Sequence, residues 1–402
     1  MHRPELARSV SYLARGLRTF FPTSLPLEVK ELIATIGILD FATSAGMLFE
    51  PIYLYTHGYS LAIIMVFYCL VYVAYFLLLP WGGHLAKRFG LKHCMMAGSV
   101  AMVVYYALLL GSAMSFGYLL LAVVAYAIQK ILFWPAYHAD FAHFGLSGER
   151  AREYSSLASV DILVYIVGPL LGGAIVSTFG FTAMFTIASF LILLSNIPLL
   201  ASTDKYKHEL VGYKECWREL TKPSNRIYVW SYLGYAEELV ALTVWPIFIF
   251  ITVGSALGLG ALVAFSLLVT AIVLLYVGRA ADFHHTKGVL RSGVVIYASA
   301  WFLRLFASAW GAVAAVDTLS RVGKSIISVP VMSDLYERAG ERSLIKTAVL
   351  FEMSLSLGKL IMAGVLAVIF ALAGPIWNVA FILSALATLL YGLLAKKRTF
   401  YC

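Results

Sequence analysis

The chain has 402 residues, of which 61% are hydrophobic and 13% charged, with a mean hydropathy of +0.86. Soluble domains carry about 25% charged residues, and a soluble chain of this length has no way to hide so much apolar surface, so a large water-soluble enzyme is disfavoured. The net charge of +9 is therefore read as the basic bias of loops that meet anionic headgroups, not as a nucleic-acid signal.

In chain order, residues 1–28 come first. Leu6, Val10, Leu13, Leu17 and Phe20 recur at helical spacing, and Arg8, Arg15 and Arg18 lie away from that stripe. Two readings stay open: an amphipathic helix in the membrane interface, or a loose tail whose arginines set topology. The start shows no cleavable signal pattern. Apolar runs able to cross a bilayer, which takes about 20 residues, follow at 31–56, 60–80, 92–112, 116–143, 154–178 and 181–201. Six more lie at 228–252, 256–277, 291–311, 313–336, 344–372 and 375–395. These are expected spans 1 to 12. Between the sixes, residues 202–227 hold six basic and four acidic residues, with a stripe of Leu210, Tyr213, Trp217 and Leu220. That pattern predicts a linker carrying a second interfacial helix. The expected organisation is a terminal segment 1–28, a six-helix bundle 29–201, the linker 202–227, a second bundle 228–396 and a tail 397–402.

Lysine and arginine fix the orientation. The amino-terminal tail has five, the even-numbered connections have three, two, six, three and three, and the carboxyl tail has three. The odd-numbered connections have none, and the remaining five lie within spans. Positive residues accumulate on the cytoplasmic side, so both termini are expected there, in an inner (cytoplasmic) membrane. The cysteines are Cys69, Cys94, Cys216 and Cys402; none lies in an outer connection, and no disulfide framework is implied.

Three features resemble the major facilitator superfamily of secondary transporters, and the likeness covers all twelve spans. One is the six-plus-six topology with a basic central loop. Another is the turn after span 2, which in that family reads Gly-x-x-x-Asp-Arg-x-Gly-Arg-Arg. Here Gly83, Arg88, Phe89, Gly90 and Lys92 fit, but Lys87 stands where the family has its acid and Leu91 replaces a base. After span 8, Gly278 and Asp282 keep the Gly-x-x-x-Asp part. The resemblance implies that this acid latches the halves together, and Lys87 puts the amino-half latch in doubt. The third feature is "YIVGPLLGGAIVSTFG" in span 5, where Gly168, Pro169, Gly172 and Gly173 match the Gly-Pro-x-x-Gly-Gly signature of proton-linked exporters. Small residues let helices approach closely in lipid, and backbone groups freed by proline are re-satisfied locally. The resemblance thus implies two pseudo-symmetric six-helix bundles rocking about a central site, with Gly83, Arg88, Gly90, Gly168, Pro169, Gly172, Gly173, Asp282 and Asp317 as gating or conformational positions. Plain helix packing is the alternative for the glycines.

Charges within spans cost about 2.5–3.5 kcal/mol each on insertion scales, so they mark an interior pathway. The bases are Lys130, Arg304, Arg321, Lys324 and Lys359; the deep acids are Asp40, Asp161, Glu237, Glu238, Asp317 and Glu352, with Glu50, Asp140 and Asp334 nearer span ends. Helical spacing puts Asp317, Arg321 and Lys324 on one face of span 10, and Glu352, Ser356 and Lys359 on one face of span 11. Lys130, Trp134, Tyr137 and Phe141 share a face of span 4, and Asp40, Ser44, Met47 and Pro51 one of span 1. The family arrangement implies that these faces meet around the centre. Asp40 and Asp161 are candidate proton carriers, Lys130 a charge partner, and Trp134 and Tyr137 an aromatic wall. Asp317 and Arg321 can pair within their helix, while Lys324 and Lys359, less neutralised locally, are candidates to meet an anion. Glu238, Arg321 and Glu352 complete the expected pathway. A fixed interhelical ion-pair network is the alternative for each. In "YHADFAH", His138, Asp140 and His143 suggest either a metal site or a hydrogen-bonded cytoplasmic gate; the i, i+5 histidines lie about 140° apart, which favours the gate.

No phosphate-cradling loop, enzyme site or cofactor motif is present. The expected function is secondary transport of a small molecule, as proton-coupled efflux of an amphipathic or drug-like compound by a monomer in the lipid bilayer. The rival reading is an organic-anion uptake or exchange carrier; a lipid transporter, a metal exporter and a non-transporting sensor are further alternatives.

Overall fold

The computed structural model describes residues 27–144, 150–200, 212–280, 286–341 and 343–396, with side chains at 30–31, 33–86, 88–140, 162–200, 212–273, 287–341 and 343–396. The amino-terminal stripe, Leu210, Asp282 and Cys402 lie outside the described residues, as do the side chains of Lys87, His143 and Asp161. Among the described residues none forms a strand.

Spans 1 to 4 are the helices Leu27–Thr56, Leu61–Phe89, Leu91–Gly111 and Phe116–Phe144. Spans 5 and 6 share the continuous stretch Arg150–Leu194, broken at Gly180 by φ 81° and ψ 175°. That left-handed backbone suits glycine, which has no Cβ to clash, and it turns the chain back into the bilayer. Span 7 is assembled from Arg226–Tyr232, the turn Leu233–Tyr235, Ala236–Leu242 and Val244–Val253. Pro246 explains the last break. It offers no N–H to the carbonyl four residues back and its ring crowds that carbonyl, and Thr243 leaves helical geometry at φ −124° and ψ −66°. Spans 8 and 9 are Ala256–Ala280 and Thr286–Leu303, the latter extended by the turn Arg304–Phe306. Spans 10, 11 and 12 are Trp310–Glu341, Leu344–Ala373 and Trp377–Leu389, with a final turn Leu390–Lys396. Ten stretches are long and apolar enough to cross a membrane, and one of them, Ile162–Leu200, holds two crossings. Span 10 is missing from that set because Asp317, Arg321, Lys324, Asp334, Glu337 and Arg338 lower its hydropathy. Its Val313, Ala314, Asp317, Ser320, Gly323 and Ile327 are buried at helical spacing, so the polar face turns into the bundle.

The two halves meet along span 2 against span 11 and span 5 against span 8. The span-5 glycines serve two faces. A Cβ on Gly172 would lie 3.0 Å from Phe49 and 3.2 Å from Ala45, and one on Gly168 would overlap Ser44, so both face span 1 of their own half. Gly173 faces the other half, where a Cβ would sit 2.6 Å from the Ala256 carbonyl oxygen. On span 8, Gly260 meets Pro169 so closely that a Cβ would overlap its carbonyl oxygen. The Leu257 amide also donates to Ser177 Oγ at 3.0 Å. Backbone therefore touches backbone here, as small residues permit.

Helix Tyr213–Thr221 lies where the sequence places an interfacial linker helix, but its apolar stripe meets protein. Trp217 packs edge-on against Phe76, and Tyr213 donates to the Leu77 carbonyl at 3.1 Å, both in span 2. Lys346 at the start of span 11 donates to Glu215 at 2.8 Å. The helix thus straps span 2 to span 11, one from each half. We call this end of the bundle the linker end and the other the far end.

Candidate transport site

Three groups of ionisable side chains lie along the seam between the halves. In the amino half, Lys130 of span 4 is 6% exposed and makes no ion pair among the described residues. Its ammonium lies 4.3 Å from the ring centroid of Tyr126 and 5.6 Å from that of Tyr72, so π faces stand in for a counter-charge. Glu50 of span 1 is buried at 1% exposure, accepts a hydrogen bond from Tyr105 at 3.1 Å, and keeps Oε1 without a partner. Tyr105 stacks on Tyr126 at 4.2 Å, so one aromatic wall serves both charges.

At the seam itself, Lys359 of span 11 pairs with Glu238 of span 7 at 2.7 Å and also lies 5.7 Å from the Tyr72 ring. Tyr72 thus stands between Lys130 of one half and Lys359 of the other. Two turns before Lys359, Glu352 turns to the opposite half. It accepts from Tyr75 of span 2 at 2.7 Å and meets His138 Nε2 of span 4 at 3.0 Å. His138 Nδ1 lies 3.2 Å from the Tyr336 hydroxyl of span 10. Tyr75, His138 and Glu352 are all buried, so these contacts tie the two halves together toward the linker end.

In the carboxyl half, Lys324 donates to Glu237 at 2.5 Å and to Tyr391 at 2.8 Å. Tyr297 also donates to Glu237. Asp317 accepts from Arg321 Nε at 2.7 Å and from Trp245 Nε1 at 2.9 Å. The intrahelical Asp317–Arg321 pairing expected from i, i+4 spacing is present.

Several expected site residues converge: Lys130, Glu238, Arg321, Lys324, Glu352 and Lys359 all line this seam or its flank. Trp134 and Tyr137 lie beside His138, with ring centroids 5.9 and 5.2 Å away. Others do not join. Asp40 is half-buried on span 1, ten residues or about 15 Å of helix rise before Glu50. One correction concerns Lys324 and Lys359. The sequence reading treats them as weakly neutralised because it sees only their own helices; span 7 gives each a glutamate, Glu237 and Glu238. Glu50, read as lying nearer a span end, is six residues from the end of its helix and is also deeply buried. His138, read as part of a metal site or, in preference, a hydrogen-bonded gate, turns both ring nitrogens to protein partners. At the linker end, Gly83 is buried, and Gly90 at φ 92° and ψ 159° joins spans 2 and 3. Arg88 is exposed and covers Phe89 at 5.3 Å, while the neighbouring Lys92 pairs with Glu31 at 3.2 Å. Tyr72, Tyr75 and Tyr105 were missed, and Glu50 and Glu237, though noted as membrane acids, were not placed in the pathway. Tyr68, Tyr72 and Tyr75 at i, i+4 and i+7 were the available signal.

The family model described as Major Facilitator Superfamily matches residues 32–259, more than half of the chain. No curated protein matches it. Among solved structures it is similar to one described under substrate recognition in proton dependent oligopeptide transporters. The TM-score is 0.65 at 13% identity, covering 92% of this chain and 97% of that one. It is also similar to the E. coli fucose:proton symporter FucP, with TM-score 0.62 at 15% identity, covering 92% and 98%. Those identities show the fold alone. The family match, twelve crossings in two halves and a charged seam between them together place the chain in the Major Facilitator Superfamily of membrane transporters.

Proposed function

We propose that this transporter couples the movement of a small molecule to protons by alternating access, with Glu352 linking proton and conformation. The observation that carries the reading is that a buried carboxylate of one half is held by two side chains of the other, Tyr75 and His138. Hydrogen bonds to a charged acceptor are about twice as strong as neutral ones. Protonating Glu352 removes that charge and one acceptor site, and so loosens the linker-side closure. Deprotonation restores it. Proton binding is thereby tied to which side is open, and Glu238–Lys359 and Lys130 supply the charges a substrate exchanges against. The two solved neighbours described as proton-dependent and proton symporter support the coupling ion.

On direction and cargo, the span-5 Gly168-Pro169-x-x-Gly172-Gly173 motif supports export by exchange. The aromatic faces of Tyr72, Trp134 and Tyr137 suit an amphipathic compound. In this reading the linker end is cytoplasmic, both termini lie on the cytoplasmic side of an inner (cytoplasmic) membrane, and the monomer is the working unit. A second reading, an organic-anion carrier, is favoured by one observation: Lys130 is buried and makes no ion pair among the described residues. Proteoliposomes carrying an imposed pH gradient separate the two. Extrusion of amphipathic cations that survives Lys130→Gln supports export. Anion uptake that Lys130→Gln abolishes supports the second reading. Absence of any gradient-driven flux for either class contradicts proton coupling.

A further inference from the structure

The turn that ends span 9 carries a buried cation that none of the preceding groups uses. Arg304 is 3% exposed. Its guanidinium carbon lies 3.6 Å from the ring centroid of Trp301 and 4.1 Å from that of Trp245. Two indoles cannot approach so closely from one side, so they cover opposite faces of the guanidinium. Its remaining interactions must therefore lie in its plane. There Nη2 donates to Ser320 Oγ at 3.0 Å. Among the described residues, Arg304 Nε, Arg304 Nη1 and the indole Trp301 Nε1 are buried and make no hydrogen bond within the usual distance.

The neighbouring carboxylates are already engaged. Asp317 takes Arg321 and Trp245, and Glu237 takes Lys324, Tyr297 and Tyr391. Among the described residues, these two carboxylates face three cations, Arg304, Arg321 and Lys324. Buried donors are nearly always paired, and the indole faces compensate the charge of Arg304 without satisfying the N–H groups in its plane. All three are donors, and two of them belong to the one guanidinium cation. Such a set calls for an acceptor carrying one negative charge. The planar guanidinium edge suits a carboxylate or a compact ion.

We propose that Arg304 and Trp301 form a binding site for a small monovalent anion in the carboxyl-terminal half, either a halide-sized ion or the carboxylate of a bound compound. The site adjoins Asp317 and Arg321 through Trp245, so occupancy would fix the position of the Asp317–Arg321 pair at the flank of the seam. It is read by binding, without transport, and does not depend on the coupling assigned above.

The test uses the purified full-length protein in detergent at constant ionic strength, titrating sodium chloride, bromide or acetate against bulky gluconate. Tm and tryptophan emission are followed. Trp81, Trp230 and Trp310 are 53–58% exposed and give collisional bromide quenching that does not saturate. A site at Trp245 and Trp301 adds a saturable component and a saturable rise in Tm. Saturation by halides identifies a free ion. Saturation by acetate alone identifies the carboxylate of a larger ligand. Arg304→Gln is expected to weaken that response about 100-fold, the loss that follows removal of one member of a buried charge pair. Arg304→Lys, which keeps the charge without the planar edge, falls between. If Arg304→Gln does not fold, Trp301→Phe keeps a stacked ring, removes one donor and is expected to weaken binding about tenfold. No saturable effect of any of the three anions on the unmodified protein overturns the proposal, as does a saturable effect that Arg304→Lys and Trp301→Phe leave unchanged.

Discussion

Tyr75→Phe isolates the bond that crosses the seam. The phenol of span 2 donates to Glu352 of span 11 at 2.7 Å, and both residues are buried. The substitution deletes one oxygen and leaves the ring in place. Glu352 keeps His138, so the carboxylate is not orphaned. A hydrogen bond to a charged group contributes about 1.5–3 kcal/mol. The bond joins the two halves; in the proposed cycle it is made only while the linker end is closed, so its loss acts on one conformer. The equilibrium is expected to shift toward the linker-open form by about 10- to 150-fold; an open population of about 1% would become roughly 10–60%. Spin labels on His84→Cys and Glu341→Cys, exposed at the linker end of opposite halves, report this as growth of a longer-distance population in a background stripped of native cysteines. Glu352→Gln is expected to move the distribution in the same direction. If neither substitution alters it, the latch assignment is wrong.

Gly260→Ala places a Cβ against the Pro169 carbonyl; overpacking of about 1–3 kcal/mol is expected to lower Tm and slow transport, and unchanged values of both contradict the tight span 5–span 8 contact. Glu238→Gln leaves Lys359 buried without its carboxylate. A loss of about 3 kcal/mol or less is expected given the partial exposure of Glu238, with partial recovery in the double variant Glu238→Gln with Lys359→Gln, read by thermal denaturation. The linker strap titrates with acid. Lys346 donates to Glu215 and holds its carboxyl below the ordinary range. A depressed carboxyl stabilises docking while ionised, above its unfolded pKa, and the contribution fades as pH falls through the lower docked value. Burial pushes the Cys216 thiol on the same helix up to about 12, so as the only cysteine it is expected to label slowly at neutral pH. Labelling faster in Lys346→Met than in the parent checks the strap; equal rates contradict it.

The spans were legible because bilayer thickness sets their length, and span 10 was read as the apolar run 313–336 despite its charges. The pairing of those charges was not legible. Consecutive helical residues point about 100° apart, so Glu237 and Glu238 address different partners, Lys324 and Lys359, on two other helices. Spacing rules see only i, i+3 and i, i+4 neighbours, which is why Asp317–Arg321 could be anticipated and the span 7 pairs could not. Glu50 was judged by its place in the run, whereas its burial depends on tyrosines from spans 2, 3 and 4. His138 carries the same lesson: its ligand-type chemistry is local, but its partners Glu352 and Tyr336 come from the other half. The dual facing of the span-5 glycines, Gly168 and Gly172 inward and Gly173 across the seam, likewise needed the packed bundle.

Comparing gradient-driven accumulation with substrate exchange at equal pH, in the same proteoliposomes, tests the coupling role of Glu352 most directly. With Glu352→Gln, accumulation driven by a pH gradient is expected to vanish while exchange without a gradient continues. Retention of gradient-driven accumulation by that variant would contradict the account.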